Sequence, residues 1–272
     1  MWSLIKNLLP PIIYNKLKLL LGKQGTYFTG EYKTWNDTLV HCKGYDDEDI
    51  LNKVIQSAQK VKSGEKAYER DGILFDSIEY SWQVLTGIIW VAARNSGRLC
   101  VLDMGGSLGT TYFQNNKFLN EINLSSWNIV EQPKYVKAGK TYFEDEKLIF
   151  FDSIENCLET CTPNVILISS SLQYMIDPYA IINSLCNIGA DAIILDRTII
   201  NKYKSNKIYV QHAMPSIGGS YPCYSISESW LFDLLNETYD LIESFDSLSF
   251  HELIDIDSTF KGYIFYKKNL KN

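Results

Sequence analysis

Several features that would settle a function at sight are scarce or missing here. Histidine occurs three times in 272 residues, at His41, His212 and His251. Of the six cysteines (Cys42, Cys100, Cys157, Cys161, Cys186 and Cys223), no two form a C-x-x-C pair. Cys157 and Cys161 can share one helix face, but two thiols without nearby histidines make a poor zinc site, so no metal is expected. Several cysteines sit in apolar runs and read as reduced, structural thiols of a cytoplasmic protein. Basic residues are outnumbered, 26 to 32, and the net charge of -6 argues against duplex nucleic acid as a partner. No run reaches the 18 or so uninterrupted apolar residues of a spanning helix. Internal repeats and low-complexity segments are missing too. What remains is an ordinary globular composition, 46% hydrophobic and 21% charged, long enough for one large domain with an extension.

Acidic residues are absent from the first 23 positions, "MWSLIKNLLPPIIYNKLKLLLGK", which carry Lys6, Lys16, Lys18 and Lys23. Pro10 and Pro11 break the apolar stretch and no small-residue cleavage site follows, so this is not a convincing signal peptide. Two readings stay open. The leader is a helical extension packed on the domain, or an interfacial anchor touching an anionic membrane from the cytoplasmic side. The chain divides into a basic amphipathic leader (1–25), a helical N-terminal region (26–97) and an α/β domain (98–272).

"DDEDILNKVIQSAQKVKSG" reads as a helix, with acids in its first turn and Ile50, Val54, Ala58 and Val61 at helical spacing. "GILFDSIEYSWQVLTGIIWVAARNSG" reads as a second, more buried helix. From Leu99 short apolar runs alternate with helices: "LCVLDM", "WNIVEQ", "LIFFDS", "NVILISSS" and "DAIILDRT" are the expected strands, with helices beginning near Thr110, Lys134, Ser153 and Pro178. Strands this apolar are buried on both faces, the mark of a parallel sheet covered by helices. Asn201 to Ser225 looks irregular, "SESWLFDLLNET" helical, and "YDLIESF" and "KGYIFYKK" form a closing pair expected to lie antiparallel at one edge.

In such a sheet, ligands bind beyond the carboxyl ends of the strands where strand order reverses. "VLDMGGSLGTTYFQ" falls there, and Gly105, Gly106 and Gly109 let a ligand approach the backbone. A dinucleotide fingerprint G-x-G-x-x-G fits poorly from Gly105, since Ser107 and Thr110 occupy its later glycine positions. D-x-G-x-x-x-G, from Asp103, Gly105 and Gly109, fits better. That is the first motif of S-adenosylmethionine (SAM)-dependent methyltransferases, with Ser107 where a glycine is more usual. Glu131, followed by Gln132, ends the second strand, where its carboxylate either accepts both ribose hydroxyl protons or caps the next helix. Asp152 ends the third strand, where it either meets the adenine or caps the next helix.

The segments "FTGEYKTW", "GYDDEDIL", "YERDGILFDSIEYSW", "VLDMGGSLGTTYFQN", "WNIVEQPKYVKAGK", "SSSLQYM", "LDRT" and "SYPCYS" resemble a family of methyltransferases found with bacterial surface-polysaccharide (O-antigen and capsule) biosynthesis genes. The resemblance runs from about Phe28 to the last strand. It implies a class I methyltransferase-like Rossmann fold, SAM as cofactor, and a glycan or glycan precursor as methyl acceptor. Two alternatives remain: a non-catalytic methyltransferase-like subunit of a glycan-assembly complex, and a Rossmann-like enzyme using another nucleotide.

A sugar hydroxyl needs a base as its bond to the methyl forms. His212 lies after the fifth strand, in the region that covers the acceptor in this fold. Asp196 and Arg197 end the fifth strand; the carboxylate can act as base and the guanidinium can grip a carboxylate or phosphate, or the two can simply pair. Ser169 and Ser170, with Gln173 and Tyr174, follow the fourth strand near the expected methyl position. Glu69, Arg70, Glu79 and Tyr80 are surface charges or part of a lid wall. No D-P-P-Y or N-P-P-Y occurs, which disfavours methylation of nucleic-acid bases.

Overall fold

The computed structural model describes residues 26–42, 48–213, 218–248, 253 and 255–268. The leader and His251 lie outside these residues.

The centre is a parallel sheet. Strand β4 (Arg98–Met104) pairs with β5 (Asn123–Val130) on one side and β7 (Val165–Ser169) on the other; β6 (Leu148–Phe151) lies beyond β5, and β8 (Ala192–Asn201) beyond β7. Strand β12 (Thr259–Lys267) runs antiparallel along β8 and carries β11 (Tyr239–Asp246) antiparallel at its outer edge. The order β6-β5-β4-β7-β8-β12-β11 therefore reverses between β4 and β7. This is the class I methyltransferase-like Rossmann arrangement, with the antiparallel edge expected from the sequence.

The near-continuous apolar strands fill two cores. Leu99, Val101, Ile129, Leu167 and Ile194 face one side of the sheet, beneath α2 (Glu48–Lys62), α3 (Trp82–Arg94), α4 (Thr110–Leu119) and α5 (Pro133–Tyr142). Leu102, Ile166, Ile168, Ile193 and Leu195 face the other, beneath α6 (Ile154–Leu158), α7 (Pro178–Ile188) and α8 (Glu228–Leu235). Local chemistry starts these helices where the sequence indicates: Pro133 and Pro178 occupy first-turn positions, and Asp177 accepts the N–H of Ala180. Among the described residues, no helix is long and apolar enough to cross a membrane.

Two expectations need correction. First, among the described residues the stretch after β8 contains two strands. Ten residues long, β8 outlasts the five-residue β7, and its end beyond β7 pairs Ile200 and Asn201 with Ile226 and Ser227 of β10 (Ser220–Ser227). Strand β10 forms an antiparallel pair with β9 (Lys207–His212), and β9 pairs with β1 (Tyr27–Tyr32). This β1-β9-β10 wing rises beyond the carboxyl end of the sheet, and α1 (Trp35–Leu39) packs on it. Second, the supposed long helix from Gly72 starts only at Trp82. Before it, β2 (Tyr68–Arg70) and β3 (Ile73–Phe75) make a hairpin. Its two-residue loop is Asp71 (φ 51°) and Gly72 (φ 75°), both left-handed. That is the type I′ chemistry of an Asp-Gly turn, and it outweighs the helical spacing of the apolar residues around it.

Candidate active site

A cavity of about 560 Å³ opens at the carboxyl ends of the parallel strands. One wall is the sheet: the loop Asp103 to Ser107, Glu131 and Gln132, Asp152, Ser169 to Ser171, and Arg197. The facing wall comes from the N-terminal elements and the wing, including Phe28, Trp35, Arg70, Asp71, Gln211 and Tyr221. Five described non-glycine residues have left-handed φ, and four of them (Asp71, Ser107, Ser170, Arg197) line this cavity. Such conformations cost about 1–3 kcal/mol outside glycine and concentrate where the surroundings hold them for function.

At the switch point the glycines divide their work. Gly105 (φ 74°) donates to the carbonyl of Val130 at 2.9 Å, and a Cβ there would lie 2.5 Å from Ser171 Cβ. A Cβ on Gly106 would lie 2.6 Å from the Asp103 carboxylate. Both residues line the cavity. Gly109 does not; it takes φ 97° to begin α4 and faces Phe113 and Leu148. Ser171, not anticipated from the sequence, steadies the loop by donating to the carbonyl of Met104 at 2.6 Å.

Asp103 is 1% exposed. Its Oδ2 accepts the Trp127 indole N–H at 2.9 Å, while the buried Oδ1 has no partner. Burial raises this carboxyl to about 7. Burial also raises Glu131, against the backbone N–H groups of Gln132 and Ser107 that favour its charge. Gln132 stands at the N-cap position of α5, and its side chain makes no capping bond. Asp152 is exposed and accepts from Asn156 Nδ2 at 2.7 Å. The cap of α6 is Ser153, whose Oγ accepts the Asn156 backbone N–H at 3.1 Å, so the capping alternative for Asp152 falls away.

At the ends of β7 and β8 a polar cluster forms. Ser169 Oγ donates to Asp196 Oδ2 at 2.8 Å and accepts from Arg197 Nη2 at 2.9 Å. Arg197 Nε lies 3.6 Å from the same carboxylate oxygen. The strained Arg197 backbone is clamped from both sides: its N–H donates to Ser247 Oγ and its carbonyl accepts from Gln173 Nε2. Ser170 (φ 60°) donates its N–H to the Asp196 carbonyl. Asp196 itself is 2% exposed and does not line the cavity; it sits behind Ser169 and orients Arg197.

His212 is not brought to the cavity. Its Nε2 shares a 2.8 Å hydrogen bond with Thr29 Oγ1, and its ring stacks on Tyr27 at 4.4 Å. Of the helical-region candidates, Arg70 lines the cavity, while the Glu79 carbonyl accepts from Gln114 and Tyr80 packs on Trp82 and Phe118. Glu69 is 3% exposed and ties the hairpin to α4. It accepts the Gly72 N–H at 3.2 Å and the hydroxyl of Thr110, the first residue of α4. Burial raises it to about 7. Asp71, Trp35, Gln211 and Tyr221 escaped sequence reasoning; the available signal was the Asp-Gly dipeptide, which places its carboxylate at a hairpin tip.

No protein-family model matches the chain, and no curated protein matches it in sequence. Solved structures do resemble it. One is the 1,6-didemethyltoxoflavin-N1-methyltransferase of Burkholderia thailandensis with 1,6-didemethyltoxoflavin and S-adenosylhomocysteine (SAH), at 12% identity over 89% of this chain and 93% of that one, TM-score 0.42. Another is the N-terminal domain of EvdMO1 with SAH bound, at 12% identity over 78% and 96% of the two chains, TM-score 0.47. A third is SAM-bound CalS10, an amino pentose methyltransferase from Micromonospora echinaspora, at 9% identity over 70% and 92%, TM-score 0.43.

Proposed function

We propose that this protein is a SAM-dependent methyltransferase that O-methylates a sugar of a bacterial cell-surface glycan or its precursor. One observation carries the cofactor half of this reading: at the switch point of the sheet, a bare glycine backbone, an orphaned buried carboxylate oxygen and a strand-end glutamate converge on one cavity. The residues fit the group. Asp103 Oδ1 offers an ammonium the partner it lacks, and Gly106 puts no side chain against that carboxylate. Glu131 can accept from two ribose hydroxyls, with Gln132 and Asp152 farther along the same wall. When bound, SAM supplies a methyl group on a sulfonium, which leaves as a neutral thioether.

The acceptor half supports a polar, hydroxyl-bearing molecule. Trp35, Phe28 and Tyr221 give aromatic surface, and Arg70, Asp71, Arg197 and Gln211 give hydrogen-bonding groups. A glycan acceptor, and reversible contact of the leader with an anionic membrane, extend this reading from the resemblance and the charge pattern. The cofactor assignment is tested by calorimetric titration with SAH, SAM and NAD. SAH and SAM are expected to bind in the micromolar range and NAD not at all. A folded protein that binds neither SAH nor SAM would end this reading. For the leader, full-length protein should float with anionic vesicles at low salt and a variant lacking residues 1–23 should not.

A further inference from the structure

We propose that Asp71 is the general base of the reaction and takes the proton of an acceptor hydroxyl; this rests on the methyltransferase reading. Four other carboxylates are candidates, and each is placed elsewhere. Asp103 is buried against the glycine loop and Trp127. Glu131 is held by the N–H groups of Gln132 and Ser107 at the end of β5. Asp152 bonds Asn156 at the end of β6. Asp196 is walled off from the cavity. His212 is engaged with β1. Asp71 comes from the opposite wall, on the tip of the β2–β3 hairpin, where it is exposed and lines the cavity.

Its charge is felt at Arg70, Arg197, Tyr174 and Tyr221, which surround that half of the cavity. Neither guanidinium can take a proton. Both phenols are pushed up by burial and stay neutral. Asp71 is the carboxylate left at the acceptor end among the described residues. The turn does not demand that charge: a type I′ loop accepts Asn-Gly at least as well as Asp-Gly. A carboxylate stands among cavity-lining residues that include Arg70 and Arg197, where an amide would serve the fold equally.

In the step, the acceptor O–H proton passes to an Asp71 carboxylate oxygen as the oxygen lone pair forms the O–CH3 bond. The S–CH3 bond breaks, its electron pair stays on sulfur, and the sulfonium becomes the neutral thioether of SAH. Arg70 and Arg197 place positive charge beside the oxygen while it carries developing negative charge. The exposed side of Asp71 then returns the proton to water.

The test compares two cofactor probes on the full chain by titration calorimetry. One is SAH; the other is sinefungin, in which an ammonium-bearing carbon replaces the methyl-bearing sulfur. A carboxylate at the acceptor end meets that ammonium, and SAH has no charge there. Asp71→Asn preserves the turn. It is expected to weaken sinefungin at least fivefold while SAH affinity stays within twofold. An unchanged sinefungin-to-SAH ratio overturns the proposal, as does an equal loss of both, or failure of sinefungin to bind the wild type. Failure of the wild type to bind SAH removes the methyltransferase reading itself, and the base with it.

Discussion

Glu131 shows what a single position can reveal and what it cannot. Its place at the end of the second parallel strand follows from the apolar pattern alone, and the structure sets it in the cavity wall beside the glycine loop. A carboxylate already holding two backbone N–H groups presents its remaining lone pairs to a ligand in a fixed direction. Glu131→Ala is expected to weaken SAH binding by about 1.5–3 kcal/mol, the range for hydrogen bonds to a charged group. Calorimetry on the variant checks this, and a loss below twofold would count against ribose binding. Asp196 and His212 were less legible. Both carry chemistry in the right part of the chain, but strand register decides which way a side chain points, and one residue of slip reverses it. The pairing of β7 with β8 and of β1 with β9 turned Asp196 behind Ser169 and His212 onto Tyr27.

At the scale of elements, the long apolar strands and the helices between them were readable because burial on both faces leaves little choice of residue. The β1-β9-β10 wing and the β2–β3 hairpin were not. Their strands are mixed in polarity, and tertiary pairing rather than local pattern makes them strands. Yet these elements supply the facing wall of the cavity and Asp71. The glycine loop lies between the two regimes: its motif is visible, but not the division of labour within it. Gly105 is the stricter position. An alanine there must adopt φ 74° and place its Cβ 2.5 Å from Ser171 Cβ, displacing the serine that holds the Met104 carbonyl. Gly105→Ala is expected to destabilise the fold by about 1–3 kcal/mol and to abolish SAH binding. Thermal denaturation and titration of the variant provide the check. Gly109→Ala strains the start of α4 but points away from the cavity, so retained SAH binding by whatever folds would separate the two roles.

For the whole molecule, joining the N-terminal hairpin to the sheet leaves a proton-linked signature. Glu69 and Asp103 are both buried and both raised to about 7, from ordinary values of 4.5 and 3.8. Glu69 joins the hairpin to α4, and Asp103 backs the glycine loop. Between the ordinary and the raised values the folded protein holds protons that the unfolded chain has released. Stability therefore falls as pH rises through that window, and the loss is complete once pH exceeds about 7. A tenfold difference in proton affinity between the folded and unfolded chain corresponds to about 1.4 kcal/mol. The ligand-free protein is expected to melt higher at pH 5.5 than at pH 8, most of the change falling below pH 7. Glu69→Gln and Asp103→Asn each remove one titrating group while keeping an oxygen that can accept the Gly72 or Trp127 N–H. Each variant should show a shallower dependence than the wild type, with the gain over wild type largest at pH 8. Melting temperatures of the three proteins at pH 5.5, 6.5, 7.5 and 8.5 decide it. Parallel curves for all three would mean that neither carboxyl is protonated in the folded state near neutral pH, and that the burial of charge at this junction is compensated by groups other than those named.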